Sequence, residues 1–357
     1  MPGKAWGSDV MNLQITHETR YDYSPVVEVA QHLCHLRPFQ SDTQTLLSHS
    51  LHISPEPDTQ TQSIDIYGNA VNYFSLQSAH SRLVVTAHST VTTHPPLLSS
   101  STVTCGQVRE RFRYVAGAAY DPAAEFLFAS PFVPRHTDFL AYARASLIPE
   151  LPLHLAAREL MRRIHNEFDY QSQSTQISTP ALTALAQRKG VCQDFAHIMI
   201  ACLRSFGVPA RYVSGYLMTT PPPGVEPLRG SDASHAWVSV YLPDLPGLPD
   251  RPDLPSGTGN SRWFDFDPTN NREGWGSPGE DYVSLAVGRD FGDVSPLRGI
   301  IHGGADHVLS VGVTVEPWPL GDGMSQSQSQ SQLQSQSQSQ SQFQPDSQFQ
   351  SQFQSQF

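Results

Sequence analysis

The strongest constraint on the fold is a run of apolar residues with helical spacing near the middle of the chain. Between positions 192 and 206, apolar side chains recur at intervals of three residues and one residue. They are Phe195, Ile198, Met199, Cys202, Leu203 and Phe206. This spacing places them on one face of an α-helix and predicts that the helix is strongly buried. Gly207 and Pro209 follow at once and end the helix.

Strands are predicted after this helix and further helices before it. The predicted strands cover residues 210–217, 235–242, 263–267, 282–287 and 308–315. Upstream, the segment 153–168 carries its apolar residues on one helical face, and helices dominate from about 137 to 206. Helices followed by an antiparallel run of strands are typical of an α+β domain.

The rest of the chain divides into segments of different composition. Residues 12–96 contain several short strands separated by turns, without a helical period, which predicts a small all-β domain. We expect residues 97–136 to connect it to the α+β domain, which covers residues 137–320. The tail, residues 321–357, consists mainly of Ser, Gln and Phe. Its apolar content is too low to offset the entropy of ordering, so we expect it, like residues 1–11, to be disordered.

Composition argues against several classes of partner. The formal net charge is -11 at pH 7, and the chain lacks a basic cluster of the kind that binds phosphates. Nucleic acid is therefore not an expected partner. No apolar run approaches the ~20 residues needed to cross a bilayer, so no membrane partner is expected. The N-terminus also lacks the apolar stretch of a signal peptide, which predicts a cytoplasmic location. The oligomeric state stays open.

The cysteines and histidines do not predict a metal site. The four cysteines are Cys34, Cys105, Cys192 and Cys202. They are irregularly spaced and form no Cys-x-x-Cys pair, which disfavours both a zinc site and a disulfide framework. His302 and His307 lie close together in sequence, but no cysteine or acidic cluster completes a set of ligands around them. We therefore expect neither a metal nor another cofactor.

Cys192 begins the buried helix, which is a favourable position for a nucleophile. A helix N-terminus carries partial positive charge and free N–H groups, which favour a thiolate over a thiol and can hold an oxyanion. A thiolate also needs an acid–base partner. His235 opens one predicted strand and Asp267 closes the next. A hairpin would place them side by side despite the long loop at 244–261, and the carboxylate would then orient the imidazole.

Two aspartates compete for the place beside His235. Asp265 and Asp267 are two residues apart on one predicted strand, so both side chains point to the same face. Alternation alone does not distinguish them. We favour Asp267 because it lies at the strand end, immediately before Pro268, where an active site can open at the rim of the sheet.

Three strings of sequence resemble the core of bacterial transglutaminase-like proteins, a family often described as cysteine proteases. They are GVCQDFAHIMIACLRSFGVPARYVSGYL, SHAWVSVYLP and WFDFDPTNN. The segments ITHETRYDYSPVVEVAQHLCHLRP and YVSLAVGRDFGDVSPLRGI resemble the same family's N-terminal region and C-terminal segment. The resemblance covers about residues 12–315. It implies a papain/transglutaminase-like core, with helices packed on an antiparallel sheet, preceded by a small all-β domain. It also implies Cys192 as the nucleophile, His235 as general base and acid, and Asp267 as the residue that orients His235.

Further residues near the predicted triad each have a functional and a structural interpretation. Gln193 could donate to an oxyanion or lie exposed at the helix start, and Tyr170 is a weaker candidate for the same task. Trp237 could line the cleft or pack within the sheet. His197, one turn beyond Cys192, is either a site residue or a packed histidine.

The predicted function is a thiol enzyme that cleaves amide bonds, peptide or isopeptide, through a thioester intermediate on Cys192. An acyl transferase is the first alternative, because an amine instead of water can resolve the same thioester. Sequence alone does not show whether the acceptor side of the cleft excludes water. A non-catalytic scaffold of the same fold is the third hypothesis, and the complete set of Cys192, His235 and Asp267 argues against it.

Overall fold

The computed structural model describes residues 10–96, 101–171, 179–219, 234–243, 262–304 and 306–318. The predicted disordered tail and the long loop at 244–261 lie outside the described residues, as does nearly all of the segment 1–11. Within the described residues, no helix combines the length and the apolar character that crossing a membrane would require.

The described elements run in the order strands, helices, strands. The strands are β1 (Met11–Cys34), β2 (Gln44–Ser54), β3 (Thr59–Ile64), β4 (Ala70–Leu76), β5 (His80–Thr93), β6 (Asp169–Tyr170), β7 (Lys189–Gly190), β8 (Ala210–Leu217), β9 (Ser234–Tyr241), β10 (Trp263–Asp267), β11 (Arg272–Trp275), β12 (Tyr282–Gly288), β13 (Leu297–Gly303) and β14 (Asp306–Pro317). The helices are α1 (Cys105–Arg111), α2 (Thr137–Ala143), α3 (Leu153–Glu167), α4 (Ala181–Gln187), α5 (Cys192–Phe206) and α6 (Phe291–Val294).

The first sheet is organised around the long strand β1. Its first half pairs with β5 and β14, and its second half pairs with β4 and β13, all antiparallel. β2 adds to β5 and β3 adds to β4, so that the described part of this sheet has seven strands. The expected N-terminal all-β region is therefore present, and β13 and β14 from the end of the described chain complete it.

The position of β14 differs from the prediction. The boundary at residue 320 places the strand at 308–315 in the α+β domain, whereas the structure pairs β14 with β1 from Leu13 to Ser24. Val313 of β14 and Leu13 and Ile15 of β1 are fully buried in the same core as helix α5. The apolar face of β1 thus packs against the helical part of the chain, and burial of that shared face draws the last strand back to the first sheet.

The segment between the two predicted domains contributes to the core. Residues 105–111 form α1, and Pro122–Leu127 form a 3₁₀ helix. Val108 is fully buried with the residues of α3 and α5, and Phe126 packs edge-on against Trp263 at 5.3 Å between ring centroids. This segment is therefore part of the hydrophobic core as well as a connection. The domain boundaries themselves stay a prediction.

The second sheet supports the site. Its strand order is β11-β10-β9-β8-β12, and the neighbouring strands are antiparallel. Helix α5 packs with this sheet, and twelve of its residues are buried. It begins at Cys192 and ends at Phe206, and Gly207 caps it with a φ of 93°. The predicted buried helix and the predicted α+β arrangement are both confirmed.

β12 is the last strand of the second sheet, and two amide side chains cover its outer edge, one from β2 and one from the turn before β4. The side-chain NH₂ of Gln44 donates to the carbonyl of Ser284 at 2.9 Å, and its oxygen accepts from the Ser284 N–H at 2.7 Å. Asn69 repeats this pattern at Val287, with both distances at 2.8 Å. We call Gln44 and Asn69 the amide clasp. Each amide takes the place of a partner residue on a neighbouring strand, which satisfies an otherwise open sheet edge.

Candidate active site

The candidate nucleophile lies at the first position of helix α5. Val191 precedes it in an extended conformation, and its N–H donates to the carboxylate of Asp194 at 2.9 Å. A Cβ at Gly190 would lie 2.7 Å from the Cβ of Asp194 and from its oxygen, so glycine is required there for the turn to approach the helix. These contacts fix the start of the helix, and with it the position of Cys192.

Cys192 differs from the other cysteines in its exposure. It is partly exposed, whereas Cys34, Cys105 and Cys202 are buried, and all are free thiols. Burial raises the pKa of Cys34 and of Cys105 to about 12, and it raises the pKa of Cys202 as well. These three thiols are therefore protonated at neutral pH and poorly reactive. Among the four cysteines, only the one at the helix start is partly accessible to solvent.

His235 and Asp267 meet across a pair of neighbouring strands. β9 and β10 are antiparallel, with Phe266 opposite Val238, so the beginning of β9 lies beside the end of β10. The Nε2 atom of His235 lies 2.7 Å from Oδ2 of Asp267. Both side chains are buried, and Asp267 is fully so. The predicted hairpin is confirmed despite the long loop between its strands.

Asp265 makes a different set of contacts. The indole N–H of Trp237 donates to its carboxylate at 3.0 Å, and the hydroxyl of Ser239 also donates to it. Burial raises the pKa of Asp265 to about 6. The register of β9 and β10 thus places Asp265 opposite Ser239, deeper in the sheet, and leaves Asp267 beside His235.

The Nε2 side of the His235 ring faces Asp267, and the Cys192 thiol is among the groups that raise the pKa of the ring. Burial by itself would lower the pKa of His235. The charge and hydrogen bond of Asp267, together with the thiol, outweigh that effect and raise it above the ordinary 6.5. For Asp267, burial favours the neutral acid, but His235 and its other hydrogen-bond donors hold its pKa below the ordinary value. The pair therefore favours imidazolium and carboxylate.

Two partners of Asp267 were not among the predicted site residues. The hydroxyl of Tyr282 and the side-chain NH₂ of Asn270 both donate to Oδ2 of Asp267 at 2.7 Å. The backbone N–H of Thr269 donates to Oδ1 at 2.8 Å. Asn270 stands in the WFDFDPTNN string, so its proximity could have been expected from the turn after Asp267. Tyr282 comes from β12, and no local pattern links it to Asp267.

The further predicted residues lie around this centre in different ways. Gln193 is partly exposed in the first turn of α5. Tyr170 is 54% exposed, and β6 pairs it with Gly190 on the approach to Cys192. Trp237 is completely buried, with its ring centroid 6.2 Å from that of His235, so it packs behind the imidazole.

His197 is a packed histidine of the core, the second of its two predicted roles. It is buried, and its Nε2 accepts the backbone N–H of Phe291 at 3.2 Å. Its ring stacks on Phe132 with centroids 5.5 Å apart. Burial lowers the pKa of His197 to about 3, so it stays neutral and serves as a hydrogen-bond acceptor inside the core.

Comparison with known proteins agrees with this fold. Residues 13–92 match the bacterial transglutaminase-like N-terminal region, and residues 141–268 match the transglutaminase-like superfamily. The uncharacterized protein Rv2569c of Mycobacterium tuberculosis is 39% identical over 310 residues, which cover 85% of this chain and 92% of that protein. The uncharacterized protein ML0607 of Mycobacterium leprae is 30% identical over 306 residues, covering 85% and 98%. The chain therefore belongs to the bacterial transglutaminase-like family.

A solved structure shows the same architecture. The crystal structure of a "Putative Cysteine Protease" from Cytophaga hutchinsonii superposes with a TM-score of 0.62 and covers 87% of this chain and 92% of that chain. The sequence identity is 21%, so the likeness is one of fold. The expected transglutaminase-like core with its N-terminal all-β region is confirmed.

Proposed function

We propose that this protein is a cysteine-dependent enzyme that cleaves amide bonds, peptide or isopeptide, through a thioester on Cys192. The observation that carries the proposal is the position of His235. Its ring contacts the Asp267 carboxylate through Nε2, and the Cys192 thiol is among the groups that raise the pKa of the ring. A nucleophile, an acid–base group and an orienting carboxylate in this order form the arrangement that acyl-transfer enzymes use.

The proposed reaction starts with His235 as an imidazolium, which holds the proton that the Cys192 thiol has given up. The thiolate attacks the amide carbonyl, and the resulting oxyanion faces the positive N-terminal end of α5. Collapse of this intermediate breaks the C–N bond, and the leaving amine takes its proton from the imidazolium. Asp267 keeps the imidazole oriented and stabilises its charge during both steps. We also propose Gln193 as an oxyanion donor and Tyr170 as a residue at the rim of the cleft.

Water completes the hydrolytic cycle. His235, neutral after the amine departs, removes a proton from water, and the resulting hydroxide attacks the thioester. This step breaks the C–S bond and releases the carboxylic acid, and it restores the Cys192 thiolate beside the His235 imidazolium. A primary amine in the same position would instead form a new amide. The match of residues 141–268 to the transglutaminase-like superfamily supports this acyl transfer as the second candidate function.

Selective alkylation tests the nucleophile without a known substrate. Brief treatment of the folded protein with iodoacetamide at pH 6, followed by peptide mapping, should label Cys192 first. The matched control is Cys192→Ser, which should remove the fast label and leave slow labelling of the buried cysteines. Faster labelling of Cys34 or Cys105 in the wild type would count against the proposed site.

Intact-mass analysis then separates the two reactions. The protein is incubated with a mixed library of peptide amides, with and without a primary amine. Hydrolysed products in both samples support the hydrolase, and products enlarged by the mass of the amine support the transferase. The Cys192→Ser variant should yield neither product. Turnover that survives this substitution would exclude Cys192 as the nucleophile.

A further inference from the structure

The hydroxyl of Tyr282 is directed at the carboxylate that orients His235. It donates to Oδ2 of Asp267 at 2.7 Å, and the same oxygen faces Nε2 of His235 at 2.7 Å. Tyr282 is 1% exposed, so solvent does not replace this contact. A hydrogen bond from a buried hydroxyl to a carboxylate is among the stronger polar contacts in a protein interior.

The ring of Tyr282 is held from several directions. It meets Trp237 edge-on, with centroids 5.4 Å apart and an interplanar angle of 85°. The guanidinium of Arg272 lies over the ring at 4.8 Å from its centroid. Two residues further along β12, Ser284 is bonded to Gln44 through both its N–H and its carbonyl. The hydroxyl therefore has a fixed position, set by the second sheet and by the amide clasp together.

Asp265 is a second buried carboxylate of this sheet, and its hydrogen-bond partners differ from those of Asp267. It also accepts hydrogen bonds from side chains, those of Trp237 and Ser239, yet burial shifts its titration towards the neutral acid. Asp267 is equally buried and shifts the other way, with Tyr282 among the groups that hold it ionised. The contacts of Asp267 with His235, Tyr282 and Asn270 distinguish the two sites.

We propose that Tyr282 is a positioning residue of the active site, whose hydroxyl holds Oδ2 of Asp267 in line with Nε2 of His235. This inference rests on the proposed function, because it assigns Tyr282 a task in the same triad. Tyr282 acts through Asp267, so its removal should weaken the hydrogen bond between Asp267 and His235 without removing any group of the proposed triad. Tyr282 also links the first sheet to the proposed active site, since the amide clasp holds β12, the strand that carries Tyr282.

The test compares Tyr282→Phe with Tyr216→Phe. Tyr216 is also a buried tyrosine of the second sheet, but its hydroxyl bonds with Nδ1 of His17 at 2.8 Å and not with the triad. Each variant loses one buried hydroxyl, so both should lower the melting temperature to a similar extent. Only Tyr282→Phe should slow alkylation of Cys192 at pH 6, by about tenfold, since a hydrogen bond to a charged group is worth that much or more.

Nuclear magnetic resonance of the histidine ring protons supplies a readout that a purely structural role would not move. In the wild type, the Nε2 proton of His235 should give a downfield, slowly exchanging signal, because it lies in a buried hydrogen bond. Tyr282→Phe should broaden this signal and move it upfield, and Tyr216→Phe should leave it unchanged. Gln44→Ala, which releases β12 at Ser284, should move it in the same direction by a smaller amount and serves if Tyr282→Phe does not fold.

The outcomes separate this inference from the proposed function. An unchanged His235 signal and unchanged alkylation in Tyr282→Phe would overturn the positioning role while leaving the proposed triad intact. An equal loss of alkylation in Tyr216→Phe would overturn it too, because the effect would then be structural. Slow alkylation of Cys192 in the wild type itself would instead contradict the proposed function.

Discussion

Replacing Asp267 by asparagine removes the charge beside His235 while keeping the size of the side chain. Oδ1 of Asp267 accepts the backbone N–H of Thr269, and Oδ2 faces donors from His235, Tyr282 and Asn270. An amide has a single acceptor oxygen. If that oxygen keeps the hydrogen bond to Thr269, the new NH₂ group points at the donors of His235, Tyr282 and Asn270. Those donors then have no acceptor. Every orientation of the new side chain therefore loses contacts as well as the charge.

The size of the effect follows from the groups that remain. Without the carboxylate, burial favours the neutral imidazole of His235, and Cys192 loses its charged partner. A hydrogen bond to a charged group contributes about 1.5–3 kcal/mol, which corresponds to a factor of about ten to one hundred. Alkylation of Cys192 at pH 6 should therefore slow by about one to two orders of magnitude. Turnover should fall further, since the equivalent change in a serine protease costs about 10⁴.

The assay measures iodoacetamide alkylation at pH 6 and thermal melting for Asp267→Asn and for the matched variant Asp265→Asn. Asp265 contacts Trp237 and Ser239, so its replacement should mainly lower the melting temperature and leave alkylation of Cys192 close to the wild-type rate. The reasoning is refuted if Asp265→Asn abolishes alkylation at wild-type stability and Asp267→Asn does not.

Two further predictions concern the charge pair and the start of α5. The pKa of His235 is raised by folding, so the stability that it contributes is fully present below pH 6.5 and is lost as the pH rises through its folded value. The gap in melting temperature between the wild type and His235→Gln should therefore be widest at about pH 5 to 6 and narrow towards pH 9; a gap that widens instead would contradict the assigned charge. Gly190→Ala should push Asp194 off its capping bond, cost about 1 kcal/mol and slow alkylation at the helix start. Gly312→Ala is the control, since a Cβ there meets nothing within 4 Å, and equal effects of the two alanines on alkylation would contradict this account.

Local patterns were sufficient to predict the elements that carry the site. The spacing of Phe195, Met199 and Phe206 predicts helix α5, and Gly207 predicts its end, because helix periodicity and termination depend on neighbouring residues. The positions of His235 and Asp267 at adjacent strand ends predict their contact, since successive strands usually pair in antiparallel sheets. The structure agrees in each of these respects.

The partners of distant strands could not be predicted in this way. The apolar pattern of β14 shows that one face is buried but does not reveal that its neighbour is β1, almost three hundred residues earlier. Tyr282 has no local signal for the same reason. Its contact with Asp267 depends on the order β10-β9-β8-β12, which brings β12 into the sheet on the far side of β8. Alternation along a strand defines a face, whereas sheet order depends on the packing of the whole core.

The amide clasp has a consequence for how this protein can be divided. A chain that starts after residue 96 would lack both Gln44 and Asn69, and the outer backbone groups of Ser284 and Val287 would face water. An open strand edge of this kind is a template on which a second copy can pair. The part of the chain after residue 96, on its own, is therefore expected to self-associate through β12. The first sheet thus prevents β12 from pairing with a second copy. A relative without this sheet would need another element to cover the edge of β12.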